Sequence, residues 1–371
     1  MARLLAPRYG RLLDDFVPGA VYAHPWEVTV DEGMVALFAA SFLDATPTYA
    51  SRAAANGLGL RDRPLHPLLL LNLGLSFSVH DVSEQAIAHL AYIDVRFPAA
   101  AFAGDTMSAR SRVLGVKRVS SGDKGVVHVQ TELHDQNGAV VCAFERKALV
   151  RAGRVVGRPP DPAGPVSEQS EPAPRAPPEL LRSDLAPPPR ASGSFATFWE
   201  DFQVGDVFAH EVGRTVSEAE HMQLTTLFRN SHPLHADERW CQSGSFAKTR
   251  VVYGGLVLSW VVALGSRDTA GNALWDLGFD EGAHPSGVLA GDTLYAATRV
   301  EAKSAIGPRT GSVVLRIVGL KNTPARGLIE SGADLFTPEL GKTDGKVREK
   351  VVEVTRRLLV ARRPTSEGSA Q

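Results

Sequence analysis

The chain contains the same unit twice. The segment DDFVPGAVYAH at Asp14–His24 matches EDFQVGDVFAH at Glu200–His210, with an offset of 186 positions. After one inserted residue the offset becomes 187, and it takes AGDTM at Ala103–Met107 onto AGDTL at Ala290–Leu294. Matches that keep their order over a long stretch indicate a duplication, in which each copy folds into the same unit. We therefore predict two related units in tandem.

A segment of different composition separates the two copies. It is rich in proline, serine and glycine, and it has too few apolar residues to build a core. The length of 371 residues also exceeds the usual size of a single hydrophobic core. We predict a degenerate N-terminal unit at residues 1–150, a linker at 151–194, a catalytic C-terminal unit at 195–362 and a flexible tail at 363–371.

Each copy has the same predicted order of elements. A short strand leads to the helix start TV-(S/D)-E, in which Asp31 and Ser217 are the predicted N-caps. A long apolar helix follows, at Leu256–Gly265 in the second copy, and then strands of alternating polarity, with a hairpin at Asn137–Gly138 in the first. This order predicts an α+β fold: two antiparallel sheets, each wrapped around a long helix, joined edge to edge into one extended sheet.

Composition argues against several functional classes. A formal net charge of −1 without a basic run argues against a nucleic-acid partner. The two cysteines, Cys142 and Cys241, are far apart, which excludes a disulfide framework or zinc site and suits a reducing cytoplasm. The most apolar run, Leu68–Val79, is shorter than the ~20 residues of a membrane span, so it predicts a buried helix. The first residues lack the apolar stretch of a signal peptide, and we expect a cytoplasmic protein without a membrane partner.

The second copy carries the motifs EDF-x-x-G, RTV-S-E-A-E, N-x-x-P-L-H-x-D, GG and AGDTL in that order. This set resembles the MaoC-like hydratases, which have the hotdog fold. Two fused copies, together with the segments Ser78–Phe97, Glu218–Met222 and Leu315–Ala325, are most similar to the mesaconyl-CoA hydratases, also called β-methylmalyl-CoA dehydratases. The resemblance implies a double hotdog and a hydro-lyase that adds water to 2-methylfumaryl-CoA (mesaconyl-CoA) to give β-methylmalyl-CoA. It implies no metal and no cofactor, because CoA is part of the substrate.

The loop at Leu227–Asp237, LFRNSHPLHAD, holds the candidate catalytic residues. Hydration of an enoyl thioester needs a base for the water, an acid for C2 and donors for the enolate oxygen. His235 occupies the histidine of the family motif D-x-N-P-(L/I)-H, which implies that it is the acid and base. Asn230 stands at the motif's aspartate, where an amide orients water but transfers no proton. His232 replaces the motif's asparagine, and it either positions the substrate or only shapes the turn.

Tyr253, Gly254 and Gly255 precede and open the long helix of the second copy. Backbone N–H groups at a helix N-terminus lack intrahelical acceptors and point toward negative charge, so Gly254 and Gly255 are the predicted oxyanion hole. The alternative is a glycine pair that only permits close packing. Tyr253 beside them is a candidate substrate contact.

A methylfumaryl substrate also carries a distal carboxylate, for which an arginine is the usual partner. The arginines nearest to the motif in sequence are Arg250, Arg229 and Arg214. We take Arg250 and Arg229 as the first candidates.

The first copy has lost the predicted chemistry. His235 corresponds to Tyr49, Asn230 to Asp44 and Gly254 to Pro67, which has no N–H to donate. The duplication therefore predicts one active site per chain, completed by the first copy. Asp44 remains an alternative carboxylate, although equivalent positions in paired hotdogs line two separate pockets.

Three other functions are compatible with the fold. They are an (R)-specific enoyl-CoA hydratase for fatty-acyl or polyketide substrates, a hotdog thioesterase, and a non-catalytic acyl-CoA-binding protein. Asn230 argues against the first, and the sequence HPLH fits the second poorly. Retention of His235 with Gly254 and Gly255 in one copy argues against the third. Because hotdog sheets often pair further, we also expect a homo-oligomer.

Overall fold

The computed structural model describes residues 9–155, 175–178, 197–340 and 342–364. In the first half the strands are β1 (Val21–Thr29), β2 (Ala86–Arg96), β3 (Thr106–Arg118), β4 (Lys124–His134) and β5 (Val140–Arg151). Its helices are α1 (Glu32–Phe42), α2 (Pro47–Ala50), α3 (Arg52–Gly57) and α4 (Pro67–Phe77).

The second half repeats this order. Its strands are β6 (Val207–Thr215), β7 (Ala273–Ala283), β8 (Thr293–Ala305), β9 (Thr310–Lys321) and β10 (Lys350–Ala361). Its helices are α5 (Glu218–Leu227), α6 (Pro233–Ala236), α7 (Glu238–Gly244), α8 (Gly254–Thr269) and α9 (Ala325–Glu330).

The ten strands form one antiparallel sheet in the order β1-β3-β4-β5-β2-β7-β10-β9-β8-β6. Each half contributes five neighbouring strands in equivalent order, and β2 pairs with β7 where the halves meet. At this junction Tyr92 lies opposite Gly282 and Val95 opposite Phe279. The predicted edge-to-edge joining of two sheets is confirmed.

A buried helix lies against each half-sheet. The run Leu68–Val79 forms most of α4, every residue of which is buried, as its apolar composition predicts. The second-half helix α8 is longer than the predicted Leu256–Gly265 and packs Trp260 into the common core. The two helices also contact each other. Within the described residues, no helix combines the length and apolarity needed to cross a bilayer.

Local signals predicted from the sequence determine where the elements begin and turn. Asp31 accepts a hydrogen bond from the Met34 N–H, and Ser217 accepts one from the Glu220 N–H, so both predicted N-caps are confirmed. The predicted hairpin joins β4 to β5, where Gly138 has a φ of +84° that favours glycine.

A buried histidine is retained at the same place in both halves. His24 contacts Asp81 at 3.0 Å and the Ser111 hydroxyl at 2.8 Å. Its counterpart His210 contacts Asp268 at 2.7 Å and the Thr298 hydroxyl at 2.9 Å. Each histidine joins the first strand of its half to the end of the central helix region and to the strand beside it in the sheet. These contacts are structural.

Most of the predicted linker and the last seven residues of the predicted tail lie outside the described residues. The described part of the linker, 175–178, contacts the junction of the halves. Arg175 donates hydrogen bonds to Asp94 at 2.6 Å and to the Phe279 carbonyl at 3.0 Å. These bonds connect β2 with β7.

Candidate active site

A cavity of about 440 Å³ lies between the two halves. This volume falls within the usual range for small-molecule sites. The second half contributes the loop before α6, the start of α8 and the end of β7, whereas the first half contributes β2, β5 and the end of α4. Polar side chains from both halves line it: His89, Tyr92, Arg146, Asn230, His232, His235, Tyr253 and His284.

The loop after α5 is held in shape by its own polar side chains. The side-chain amide oxygen of Asn230 accepts a hydrogen bond from the backbone N–H of His232 at 3.1 Å. His232 Nδ1 accepts from the Leu234 N–H at 3.1 Å and so caps α6, while Nε2 donates to the Ala86 carbonyl at 3.3 Å. Both ring nitrogens of His232 are therefore engaged, and burial lowers its pKa to about 4. This geometry favours the turn-shaping alternative for His232.

His235 is oriented by a single backbone contact. Its Nδ1 lies 2.8 Å from the Val251 carbonyl oxygen, and because a carbonyl only accepts, Nδ1 carries the proton. Nε2 is then the lone-pair nitrogen of a side chain that lines the cavity. Burial, with a smaller effect of His232, lowers the pKa of His235 to about 3. The ring is therefore neutral at physiological pH, as a general base must be.

Asn230 is buried at the cavity wall. Its oxygen holds the loop, whereas its Nδ2 makes no hydrogen bond to another described residue. The amide N–H₂ therefore remains as a donor for a molecule in the cavity. This arrangement is compatible with the predicted orientation of water by Asn230.

The N-terminus of α8 provides the predicted backbone donors. Tyr253 is its N-cap residue, and no side chain in the described part of the chain caps it, so the first N–H groups lack intramolecular acceptors. Gly254 lines the cavity, whereas Gly255 does not. A Cβ on Gly255 would lie 2.1 Å from the Asn72 amide oxygen in α4, so this glycine permits close helix packing. The geometry is thus compatible with a donor role for Gly254 and a packing role for Gly255.

Four cavity residues opposite the loop were not among the sequence candidates. Tyr92 donates its hydroxyl hydrogen to His284 Nε2 at 3.0 Å, because His284 Nδ1 is engaged with the Val351 carbonyl at 3.2 Å. The His89 ring lies 4.3 Å from that of Tyr92. Arg146 projects from β5 beside them. Burial lowers the pKa of His284 to about 4 and lowers the pKa of His89 well below its ordinary value.

A sequence signal for Arg146 does exist. In β5 the inward positions alternate, and Cys142, Phe144 and Ala148 are buried at every second residue, as is Arg146. A charged residue at an inward position of a strand is unusual and indicates a partner or a site.

The structure does not bring the sequence-predicted arginines to the cavity. Arg250 forms ion pairs with Glu218 and Glu238, and Arg214 pairs with Glu220. Arg229 is exposed, with a φ of +65°. Nearness in sequence did not place these side chains at the cavity, because they face acidic partners or solvent.

The equivalent place in the first half is filled. Only about 30 Å³ of space remains beside Asp44, Tyr49 and His66 among the described residues. The Tyr49 hydroxyl accepts a hydrogen bond from the Asp276 N–H at 2.9 Å. The tyrosine at the position equivalent to His235 thus occupies the space and joins the two halves.

The model of the mesaconyl-CoA hydratase family matches residues 2–325. This chain belongs to that family. Over 325 residues it is 33% identical to the β-methylmalyl-CoA dehydratase of Chloroflexus aurantiacus, covering 85% of this chain and 89% of the relative. It is 32% identical over 324 residues to the mesaconyl-CoA hydratase of Cereibacter sphaeroides, covering 84% and 90%.

Solved structures agree with this assignment. A MaoC domain protein dehydratase from Chloroflexus aurantiacus superposes with a TM-score of 0.79 at 29% identity, covering 96% of this chain and 98% of that one. A double hotdog protein from Mycobacterium tuberculosis gives 0.72 at 23% identity, covering 94% and 98%, and supports the fold alone. As a mesaconyl-CoA hydratase family member, the chain is a double-hotdog hydro-lyase of the enoyl-CoA hydratase class.

Proposed function

We propose that the protein catalyses the reversible hydration of 2-methylfumaryl-CoA to β-methylmalyl-CoA in the cavity between its halves. The observation that carries this proposal is His235, a neutral histidine with an unprotonated Nε2 in the same cavity as the uncapped N-terminus of α8. A base and backbone donors in one enclosed space are what enoyl-thioester hydration requires. The names of the relatives support the acyl group.

The reaction uses one proton-transfer residue. His235 Nε2 removes a proton from a water held by the Asn230 Nδ2 donor, and the water oxygen bonds to C3. The electron pair of the C2–C3 double bond moves toward C1, forming an enolate whose oxygen accepts a hydrogen bond from the N–H group of Gly254. His235 then returns the proton to C2. Every atom of water enters the product, and no cofactor is consumed.

The first test is a panel of enoyl-CoA thioesters offered to the full chain, with loss of enoyl-thioester absorbance as the readout. We expect 2-methylfumaryl-CoA to be hydrated with the highest kcat/KM. Tiglyl-CoA is the matched control, because it has a methyl group in place of the distal carboxylate. Preferred turnover of crotonyl-CoA and tiglyl-CoA would contradict the dicarboxylate substrate and favour a fatty-acyl hydratase.

The second test removes the base. His235→Gln replaces the imidazole with a neutral amide of similar size that cannot exchange a proton, and we expect kcat to fall about 10³-fold. Tyr49→Phe is the matched control at the duplicated position, and it should leave kcat within about twofold because Tyr49 touches no substrate. Full activity of the His235→Gln variant would refute the assignment of His235.

A further inference from the structure

Arg146 is a buried cation without an anion. Its side chain is 4% exposed, and it forms no ion pair with any carboxylate in the described residues. Nη2 donates to the Ser78 hydroxyl at 2.8 Å and to the Ser78 carbonyl at 3.3 Å, whereas the buried Nε has no acceptor. Burying a charge without a counter-ion is costly, so such a group requires a partner that comes from elsewhere.

The duplication supplies an internal comparison for this residue. In the first half Tyr92 lies opposite Arg146 in the sheet, and in the second half its counterpart Phe279 lies opposite Arg356. Arg146 and Arg356 therefore occupy the same place in the two copies. Arg356 is also buried, but it pairs with Asp276 at 2.8 Å.

The two arginines differ in the residue that is available to pair with them. The offset of 187 takes Asp276 back to His89, so the first half has a histidine where the second has a carboxylate. Both ring nitrogens of His89 are buried without a hydrogen-bond partner among the described residues. Arg146 and His89 thus have unused donor capacity in the same wall of the cavity.

The pKa values of the two arginines differ because their surroundings differ. Burial lowers the pKa of Arg146 to about 10. Burial acts on Arg356 in the same way, but the Asp276 and Asp44 carboxylates outweigh it and raise the pKa of Arg356 above its ordinary value. Arg356, on the second-half sheet, therefore has its own carboxylate, and Arg146, on the first-half sheet that lines the cavity, does not.

We propose that Arg146 and His89 form the receptor for the distal carboxylate of the acyl group. Beside Arg146 the carboxylate would occupy the place that the Asp276 side chain occupies beside Arg356, accepting hydrogen bonds from the guanidinium and from one imidazole N–H. The identity of the full substrate rests on the proposed function. Recognition of a carboxylate at this wall does not.

The receptor would also position the reacting carbon. In 2-methylfumaryl-CoA the carboxylate is bonded directly to C3, the carbon that receives water. Because C3 is bonded to the carboxylate carbon, a carboxylate held at Arg146 also fixes the position of C3. The thioester group, bound at the start of α8, fixes the other end of the acyl group. Substrates that lack the carboxylate would leave the buried arginine unpaired and be disfavoured.

The test measures binding rather than turnover. Succinyl-CoA and butyryl-CoA differ by a carboxylate in place of a methyl group, and neither has a double bond to hydrate. We expect wild-type protein to bind succinyl-CoA more tightly by ~100-fold in calorimetric titration, and Arg146→Met to lose most of this preference. Arg146→Lys retains the charge without the planar fork and should keep about a tenth of it. Equal binding of the two thioesters by wild type would overturn the receptor.

A second variant covers the case in which Arg146→Met fails to fold. His89→Asp copies the second-half sheet by giving Arg146 an internal carboxylate, as Asp276 does for Arg356. We expect this variant to remain folded and to bind succinyl-CoA no better than butyryl-CoA. A retained preference for succinyl-CoA in His89→Asp would contradict the proposal.

These measurements separate the receptor from the reaction. Wild-type protein that prefers succinyl-CoA but does not hydrate 2-methylfumaryl-CoA would support the receptor and refute the proposed reaction. Wild-type protein that hydrates 2-methylfumaryl-CoA without preferring succinyl-CoA would refute the receptor and leave the reaction intact.

Discussion

The two halves share a fold, yet a cavity of about 440 Å³ lies beside the loop of the second half and only about 30 Å³ remains beside the equivalent loop of the first. Where the cavity is open, His235 faces it with a free nitrogen. Where it is closed, Tyr49 fills the space and its hydroxyl accepts from the Asp276 backbone. At this position the first copy has a packed side chain, whereas the second has a side chain that faces the cavity.

The comparison also distinguishes structural from functional polar residues. The buried contacts of His24 with Asp81 and of His210 with Asp268 are present in both halves, because each half needs them to join its strands to its helix. At the cavity and its filled counterpart, Asn230, His235 and Asp276 differ from Asp44, Tyr49 and His89. A duplicated chain thus contains its own control for each candidate residue.

The largest expected effect tests the filled site. Asp276→Ala leaves Arg356 buried without its counter-ion, and we expect the free energy of unfolding to fall by about 3–5 kcal/mol in urea denaturation. The equivalent substitution on the first-half sheet, His89→Ala, removes no ion pair and should cost about 1 kcal/mol or less. Equal losses would show that the two arginines are not in different electrostatic states. Adding Arg356→Met to Asp276→Ala should restore most of the lost stability.

The next comparison concerns the start of the two central helices. Gly254→Pro gives the second half the residue that the first half has at Pro67. Proline is favoured at the first helical position, and Tyr253 has φ −59° and ψ 128°, which a following proline tolerates, so folding should be preserved. Loss of the Gly254 N–H should lower kcat by about 10²–10³-fold if this group binds the enolate oxygen.

Gly254→Ala is the matched control for that variant, because it adds a Cβ near His284 but retains the N–H. It should lose clearly less kcat than the proline variant. Similar losses in both variants would indicate crowding at His284 rather than a missing donor.

A smaller effect is expected at the loop. The Asp44 side chain accepts a hydrogen bond from the Thr46 N–H at 2.8 Å, as Asn230 does from His232. Asn230→Asp therefore retains the acceptor that shapes the loop, but it replaces the Nδ2 donor with a carboxylate oxygen that cannot donate and adds a negative charge. We expect kcat to fall about tenfold with an unchanged melting temperature, since one hydrogen bond to water is lost. A kcat equal to that of wild type would contradict the orientation of water by Asn230.

The smallest effect concerns pH. Because the pKa of His235 is lowered to about 3, its base form persists in mild acid, and kcat/KM should stay nearly constant from pH 8 to about pH 5. A loss of activity with a midpoint near pH 6.5 would indicate a base with an ordinary pKa. The counterpart Tyr49 does not titrate in this range.

Unlike kcat/KM, the free energy of unfolding should change with pH in mild acid. Below pH 6.5 the unfolded chain binds protons on His232, His235 and His284, whereas burial delays protonation in the folded chain to about pH 3–4. Acidification through this window therefore lowers the free energy of unfolding. His232→Gln should reduce that slope, measured by denaturation at pH 7 and pH 5. An unchanged slope would show that His232 is protonated in the folded state.

The sequence alone determined the architecture and one wall of the site. The duplication, the helix caps and the apolar run of α4 act through neighbouring residues, so periodicity and offsets predicted the paired sheets correctly. The loop from Asn230 to His235 lies on one short segment, and its residues reach the cavity together for the same reason. Their catalytic roles stay predictions.

Only the tertiary structure decided the opposite wall. Arg146 and His89 reach the cavity because β2 pairs with both β5 and β7, and that register brings side chains far apart in the chain to one surface. The arginines near the loop in sequence are held by Glu218, Glu220 and Glu238 or are exposed. Whether a charge is available depends on its neighbours in space, because a nearby carboxylate neutralises it whatever its position in the sequence.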